Sequence, residues 1–148
     1  MKPIIGAVNL RKGRFSKQGQ VYHCTFSTLN RLPVFNQYEN ARLIISILKE
    51  DEARLLTTTY AFIVMPDHIH WLCHLNKGRL SAELKRVKSV YSKKSKTRVW
   101  NDGFYDHAIR ADEDLIETAR YIVANPLRAG LVDRIGDYPY WDCIWLEG

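Results

Sequence analysis

Two histidines one residue apart, His68 and His70, stand in the run HIHWLCHL. On an extended strand, side chains two positions apart share a face, so both imidazoles can meet one metal ion while Ile69, Trp71 and Cys73 turn to the other side. An ordinary strand with two surface histidines has the same spacing. A second group lies just before Pro126: at helical periodicity Leu115, Ala119, Ile122 and Val123 gather as a core stripe, and Asp114, Thr118, Tyr121 and Asn125 gather opposite. A phenol that is oriented and can lose its proton is a nucleophile towards phosphorus, and an asparagine amide offers a neutral oxygen to a divalent ion. The plainer alternative has Tyr121 covering a neighbouring surface and Asn125 capping its helix before the proline. Taken together, His68, His70 and Asn125 supply two nitrogens and one oxygen, leaving room for water and phosphate oxygens around Mg²⁺ or Mn²⁺. A closed zinc site would want a third strong ligand. Attack by Tyr121 would break a P–O3′ bond, free a 3′-hydroxyl and retain the 5′-phosphate on tyrosine, so that the strand can be rejoined. His74 shares the face of the pair but lies four residues beyond His70, which suits a supporting or DNA-facing residue, or a plain surface histidine.

These groups need a scaffold, and the hydropathy pattern supplies one. Val21 to Leu29 alternates Tyr22, Cys24, Phe26 and Thr28 against His23, Thr25 and Ser27, which predicts a strand. A helix follows over roughly 37–53, with Asn36 and Glu39 spaced as a capping box and Ile44, Ile47 and Leu48 as its inner stripe. LLTTTYAFIVM (55–65) and HIHWLCHL (68–75) read as a hairpin about Pro66-Asp67. A helix over 81–95 turns Leu84, Val87, Val90 and Tyr91 inward, Phe104 to Arg110 forms a short strand, and a last helix runs from about Asp112 to Asn125, where Pro126 ends it. The order β-α-β-β-α-β is the ferredoxin-like split βαβ arrangement, an α+β sandwich with an antiparallel sheet and helices on one face, here extended by a C-terminal tyrosine helix. The expected division is a basic N-terminal arm (1–20), one domain (21–132) and an aromatic tail (133–148) that packs back on the domain or contacts DNA.

The 148 residues, 46% apolar, can bury a core without disulfides, and Cys24, Cys73 and Cys143 show neither full pairing nor CxxC spacing. No stretch has the length of a membrane span, so a cytoplasmic protein is expected. The net charge of +6 is unevenly spread: residues 1–75, 76–101 and 102–148 carry +4, +8 and −6. A concentrated positive segment suits a polyanion such as a phosphate backbone, although a solvated helix face has the same composition.

MPDHIHWL (65–72), FYDHAIR with DLIETARYIVANPLRAGLV (within 104–132) and YHCTFSTLNRLPVF (22–35) together resemble the HUH single-strand transposases that use one catalytic tyrosine, the IS200/IS605-like Y1 enzymes, and within them the REP-associated tyrosine transposases. That resemblance implies a divalent-metal-dependent endonuclease and strand transferase acting on single-stranded DNA hairpins of REP or BIME type through a 5′-phosphotyrosine intermediate. It assigns His68 and His70 as HUH ligands, Tyr121 as nucleophile and Asn125 as the added ligand, with Arg11, Arg14, Arg31, Lys85, Arg86, Lys88, Lys93 and Lys94 as phosphate contacts. The oligomeric state is left between monomer and helix-exchanged homodimer. Asp67 replaces the Asn usual in that turn, where it can orient a histidine or place negative charge near DNA. With that departure and the altered Trp141-Asp142-Cys143 tail, the alternative function is a domesticated hairpin-binding protein with weak or absent cleavage.

Overall fold

The computed structural model describes residues 10–11, 19–110 and 115–146. In chain order the elements are β1 (Leu10–Arg11), β2 (Val21–Ser27), α1 (Tyr38–Ala53), β3 (Thr57–Val64), β4 (His68–Leu75), α2 (Leu80–Ser95), β5 (Phe104–Ile109), α3 (Leu115–Val123), α4 (Asn125–Arg128) and β6 (Trp141–Cys143). One sheet holds all the strands in the order β1-β5-β2-β4-β3-β6, antiparallel at every pairing. Its inner four, β5-β2-β4-β3, with α1 and α2 as the crossovers, make up the expected ferredoxin-like unit. Arg14 and the expected helix start at Asp112 lie outside the described residues, and for Arg11 only the backbone pairing with Phe104 is described. No helix among the described residues is long and apolar enough to cross a membrane.

The sheet separates two apolar layers of different character. Tyr22, Cys24 and Phe26 of β2 and Ile69, Trp71, Cys73 and Leu75 of β4 face α1 and α2, which contribute Ile44, Ile47, Leu48, Leu84, Val87 and Tyr91. Phe26, Phe35, Tyr91 and Trp100 contact one another at ring-centroid separations of 5.3–5.7 Å. Both buried indoles are satisfied: Trp71 Nε1 donates to Thr59 Oγ1 at 2.9 Å and Trp100 Nε1 to the Lys88 carbonyl at 3.1 Å. The opposite face carries a smaller layer in which Ala119, Ile122 and Val123 of α3 cover Ala61, Ile63 and Leu72.

Three local expectations change. The Asn36/Glu39 capping box does not form: Asn36 sits in a 3₁₀ turn, α1 starts after Gln37 without a side-chain cap, and Asn40 Nδ2 instead ties the helix entrance to the Val34 carbonyl at 2.9 Å. Thr118, expected on the polar side of the last helix, is fully buried. Pro126 does not stop the chain's helical course; α3 ends at Val123, and α4 restarts with Pro126 in its first turn, where a missing N–H costs nothing. The aromatic tail contributes β6, which pairs along β3 (Ala61 with Cys143, Ile63 with Trp141) and covers an otherwise open sheet edge, while Tyr138 Oη donates to the Val64 carbonyl at 2.6 Å.

Candidate active site on the histidine face

The register of β2 against β4 decides what surrounds the two histidines. Ser27 lies opposite His68 and Thr25 opposite His70, so the second side of β2's alternation, His23, Thr25 and Ser27, shares the sheet face of the pair. His68 and His70 stand with ring centroids 5.0 Å apart at 82°. Each is held through Nδ1: His68 by Asp67 Oδ1 at 2.7 Å, His70 by His23 Nε2 at 2.9 Å and Thr25 Oγ1 at 3.1 Å. Among the described residues no hydrogen bond engages either Nε2, and an imidazole anchored at one nitrogen with the other available is the arrangement of metal-ligating histidines.

Burial disfavours the charged form of all three rings. It pushes His70 well below its ordinary range, helped by the neighbouring His23 and His68, and lowers His68 against the opposing pull of Asp67. His23 falls to about 3 through burial, with His107 adding to the effect. Neutral imidazoles are the form that ligates a metal.

Asp67 does not stand as a bare negative charge. Its other oxygen meets Arg31 Nε at 3.3 Å, giving a chain Arg31–Asp67–His68. Arg31 reaches that position from a turn in which Asn30 and Arg31 both adopt left-handed backbone (φ 53° and 54°), a conformation that asparagine tolerates and that is disfavoured for arginine. The turn is pinned by the Leu29 N–H to the Val99 carbonyl at 2.8 Å and by Thr28 Oγ1 to the Leu32 carbonyl at 2.8 Å. Held strain of this kind recurs where a side chain must be aimed.

Tyr121 arrives on the same face because the apolar stripe of α3 seats on β3. The Arg128 guanidinium lies over its ring, 3.8 Å from the centroid, and Arg128 Nη2 donates to the Tyr121 carbonyl at 2.7 Å. The Arg128 charge also reaches His70, where it contributes to the lowered pKa. One arginine therefore covers the phenol ring and stands within electrostatic reach of His70. Asn125 opens α4; its Nδ2 donates to the Ile122 carbonyl at 2.7 Å, which leaves Oδ1 as the atom able to face an ion. Among the described residues no group of three His, Cys, Asp or Glu side chains is arranged to hold a metal ion, so an ion bound here would find two imidazoles and otherwise oxygen donors. That donor set fits Mg²⁺ or Mn²⁺ better than a closed zinc site.

Other candidates are placed elsewhere. His74 is roughly 13 Å along the strand from His70, its Nδ1 bound to Asn76 Oδ1 at 2.6 Å. Lys85, Lys93 and Lys94 are exposed on α2, across the sheet from the histidines. Arg86 and Lys88, expected among the phosphate contacts, are engaged within the fold. Arg86 is ion-paired with the fully buried Asp51, and Lys88 donates to the carbonyls of Asn101, at 2.9 Å, and Gly103. A groove of about 1200 Å³ runs along α2 past Lys85, Lys93, Lys96 and Arg98. It adjoins a second of about 470 Å³ that shares Arg98 and Asn101 and ends on Thr25 and Ser27, the cross-strand neighbours of His70 and His68. Sequence reasoning assigned no role to His23, Thr25 or Arg128. The alternation of β2 had already put His23 and Thr25 on one side, and only the strand register was missing.

Residues 16–125 match the family described as "Transposase IS200 like". A REP-associated tyrosine transposase of Escherichia coli (strain K12) is 26% identical over 132 residues, covering 86% of this chain and 78% of that protein. The solved structure of a REP-associated tyrosine transposase bound to a REP hairpin superposes with a TM-score of 0.74 at 26% identity, covering 88% of this chain and 81% of the other. A fold shared over most of both chains, together with a family match that takes in the histidine strand, β2, α3 and Asn125, shows that the chain belongs to the IS200-like transposases, the Y1 tyrosine transposases of the HUH superfamily, and is similar to their REP-associated members.

Proposed function

We propose that this transposase cleaves and rejoins single-stranded DNA at REP-like hairpins, with Tyr121 as nucleophile and with His68, His70 and Asn125 holding the divalent ion that family membership implies, Mg²⁺ or Mn²⁺. The observation that carries this reading is the pair of imidazoles, each anchored at Nδ1, on the sheet face that α3 covers with Tyr121. When bound, the ion polarises the scissile phosphate and offsets the charge that accumulates during in-line attack. Tyr121 Oη loses its proton to solvent as it attacks phosphorus, the P–O3′ bond breaks, and the leaving 3′-oxygen takes up a proton in turn. The 5′-phosphate stays esterified to tyrosine, and attack by a 3′-hydroxyl reverses the step. Arg128 holds the phenol ring, and Arg31 offsets Asp67 at the mouth of the site.

The hairpin partner is supported by the complex of the similar transposase with a REP hairpin and by the basic groove of α2. Lys85, Lys93 and Lys94 are its phosphate contacts in this reading, with Arg11 and Arg14 from the arm. Arg86 and Lys88 keep α2 and the Asn101–Gly103 loop in place for them. The binding-only alternative drew on Asp67 and on the altered tail; the pairing of Asp67 with both His68 and Arg31 offsets its charge and weighs against the first of these grounds. Incubation of the protein with 5′- or 3′-labelled hairpin oligonucleotides and Mn²⁺ tests the reading. A metal-dependent covalent adduct that disappears in Tyr121→Phe is expected; tight hairpin binding without adduct would establish the binding-only function instead.

A further inference from the structure

The strand-transfer chemistry leaves one buried titratable group on this face unused. His23 is 1% exposed, and its Nε2 lies 2.9 Å from His70 Nδ1 with the rings 5.1 Å apart. Its Nδ1 is also buried and has no hydrogen-bond partner among the described residues. A buried polar atom left unpaired is costly, so a ring kept here against a core alternative implies a task for its other nitrogen.

Between two neutral imidazoles there is one proton to share, and its placement has consequences at the far side of His70. If His70 donates from Nδ1 to His23 Nε2, His70 Nε2 carries a lone pair and can ligate. If His23 donates from Nε2, the proton of His70 sits on its own Nε2 and blocks that position. Thr25 Oγ1, at 3.1 Å from the same Nδ1, can accept from it but equally can donate to it, so it does not fix the choice. His68 has a different device, the carboxylate of Asp67, which can only accept when ionised.

We infer that His23 is a positioning residue of the metal site: by accepting the Nδ1 proton of His70 it fixes the ring orientation and the tautomer that presents Nε2 to the ion. This rests on the reading of His68 and His70 as ligands. The two ligands are then oriented by unlike partners, a partly exposed carboxylate and a buried imidazole, although they are two residues apart on one strand.

The full chain, metal-free at pH 7.5, is titrated with Mn²⁺ alone and free Mn²⁺ is read by electron paramagnetic resonance. His23→Phe, which fills the same space and accepts nothing, is expected to weaken Mn²⁺ binding by about 10- to 100-fold. His23→Gln, whose amide oxygen can accept, is expected to recover most of that loss, and hairpin binding in EDTA is expected to stay within about twofold of the parent in both variants. Mn²⁺ affinity unchanged in His23→Phe, or His23→Gln as weak as His23→Phe, would overturn the role. His70→Ala separates the two readings: if it leaves Mn²⁺ affinity intact, the ligand assignment itself fails, whereas loss there with no effect at His23 defeats only this inference. An independent readout needs no variant. In the ¹⁵N-labelled parent with Mg²⁺, a scalar coupling across the hydrogen bond with the proton on His70 Nδ1 is expected, and a proton on His23 Nε2 would overturn the proposal.

Discussion

The two faces of the sheet are built from alternate residues of the same strands, yet they do opposite things with polar groups. On the side of α1 and α2, Trp71, Phe35, Tyr91 and Trp100 fill a thick aromatic layer, and the buried charge beyond it, Asp51, is tied down by Thr57 Oγ1 at 2.6 Å and by Arg86. On the side of α3 the apolar layer is thin, made of Ala61, Ile63, Leu72, Ala119, Ile122 and Val123, and that side also carries His68 and His70, the Arg31–Asp67 pair and the Arg128–Tyr121 stack. The first face pairs its fully buried Asp51 internally to hold the fold. The second anchors His68 and His70 through Nδ1, and among the described residues no hydrogen bond engages the Nε2 of either. A similar division holds for the basic segment: Arg86 and Lys88 belong to the structural side, and Lys85, Lys93 and Lys94 are exposed.

Substitutions that separate the two faces test this division. The largest effect is expected for Tyr121→Phe, which should reduce covalent adduct formation on hairpin DNA by roughly 10³-fold or more, about 4 kcal/mol in barrier, while leaving the thermal unfolding midpoint within about 2 °C. An equally large change in stability would show that the phenol is part of the packing. Next is Arg86→Ala, which leaves the Asp51 carboxylate buried without its cation and should cost about 3–5 kcal/mol in urea unfolding. If hairpin affinity fell while stability held, Arg86 would belong with the DNA contacts after all.

Glu83, on the same structural side, is pushed up to about 7 by burial and then by the hydrogen bond and charge of Asp51. A carboxyl raised in the folded state stabilises fully below its unfolded pKa of about 4.3 and loses that contribution as pH climbs through about 7, at up to roughly 1.4 kcal/mol per pH unit. Glu83→Gln, which stays neutral, should flatten the stability profile between those limits; a profile unchanged from the parent would remove Glu83 from this account. Lys85→Ala or Lys93→Ala should leave stability within about 0.5 kcal/mol and lower the slope of log hairpin affinity against log salt by about 1 each. The smallest expected effect is that of Arg128→Ala, about 0.5–1 kcal/mol from the lost stacking on Tyr121. It should appear in the rate of adduct formation more than in hairpin affinity, and a change confined to affinity would place Arg128 with the DNA contacts.

Much of the fold was legible because the strands alternate cleanly. Tyr22, Cys24, Phe26, Ile69, Trp71 and Cys73 all face the helices as their spacing required, and the chain order of elements restricted the sheet to a ferredoxin-like topology. Capping was less legible: Asn36 has the right type and spacing for a box, but the 3₁₀ turn preceding α1 places it outside the helix start. Thr118 was misplaced because a half-polar side chain on a short amphipathic helix can be covered from a neighbouring element, which periodicity does not see. Arg86 and Lys88 could not be told from Lys85 by charge or spacing, since what separates them is an acidic residue on another helix and two carbonyls in a loop.

The residue types that can do the chemistry were therefore determined by the sequence alone: a same-face histidine pair, a tyrosine and an asparagine on a helix whose apolar stripe had to be buried somewhere, and a basic segment between them. Their surroundings were decided only by tertiary structure. The register of β2 against β4 put His23 and Thr25 behind His70, the seating of α3 on β3 brought Tyr121 and Arg128 to the histidine face, and the packing of α1 on α2 paired Arg86 with Asp51. Periodicity along a chain assigns a side chain to a face, but its partner across the sheet depends on long-range pairing of backbone and burial, which no local window contains.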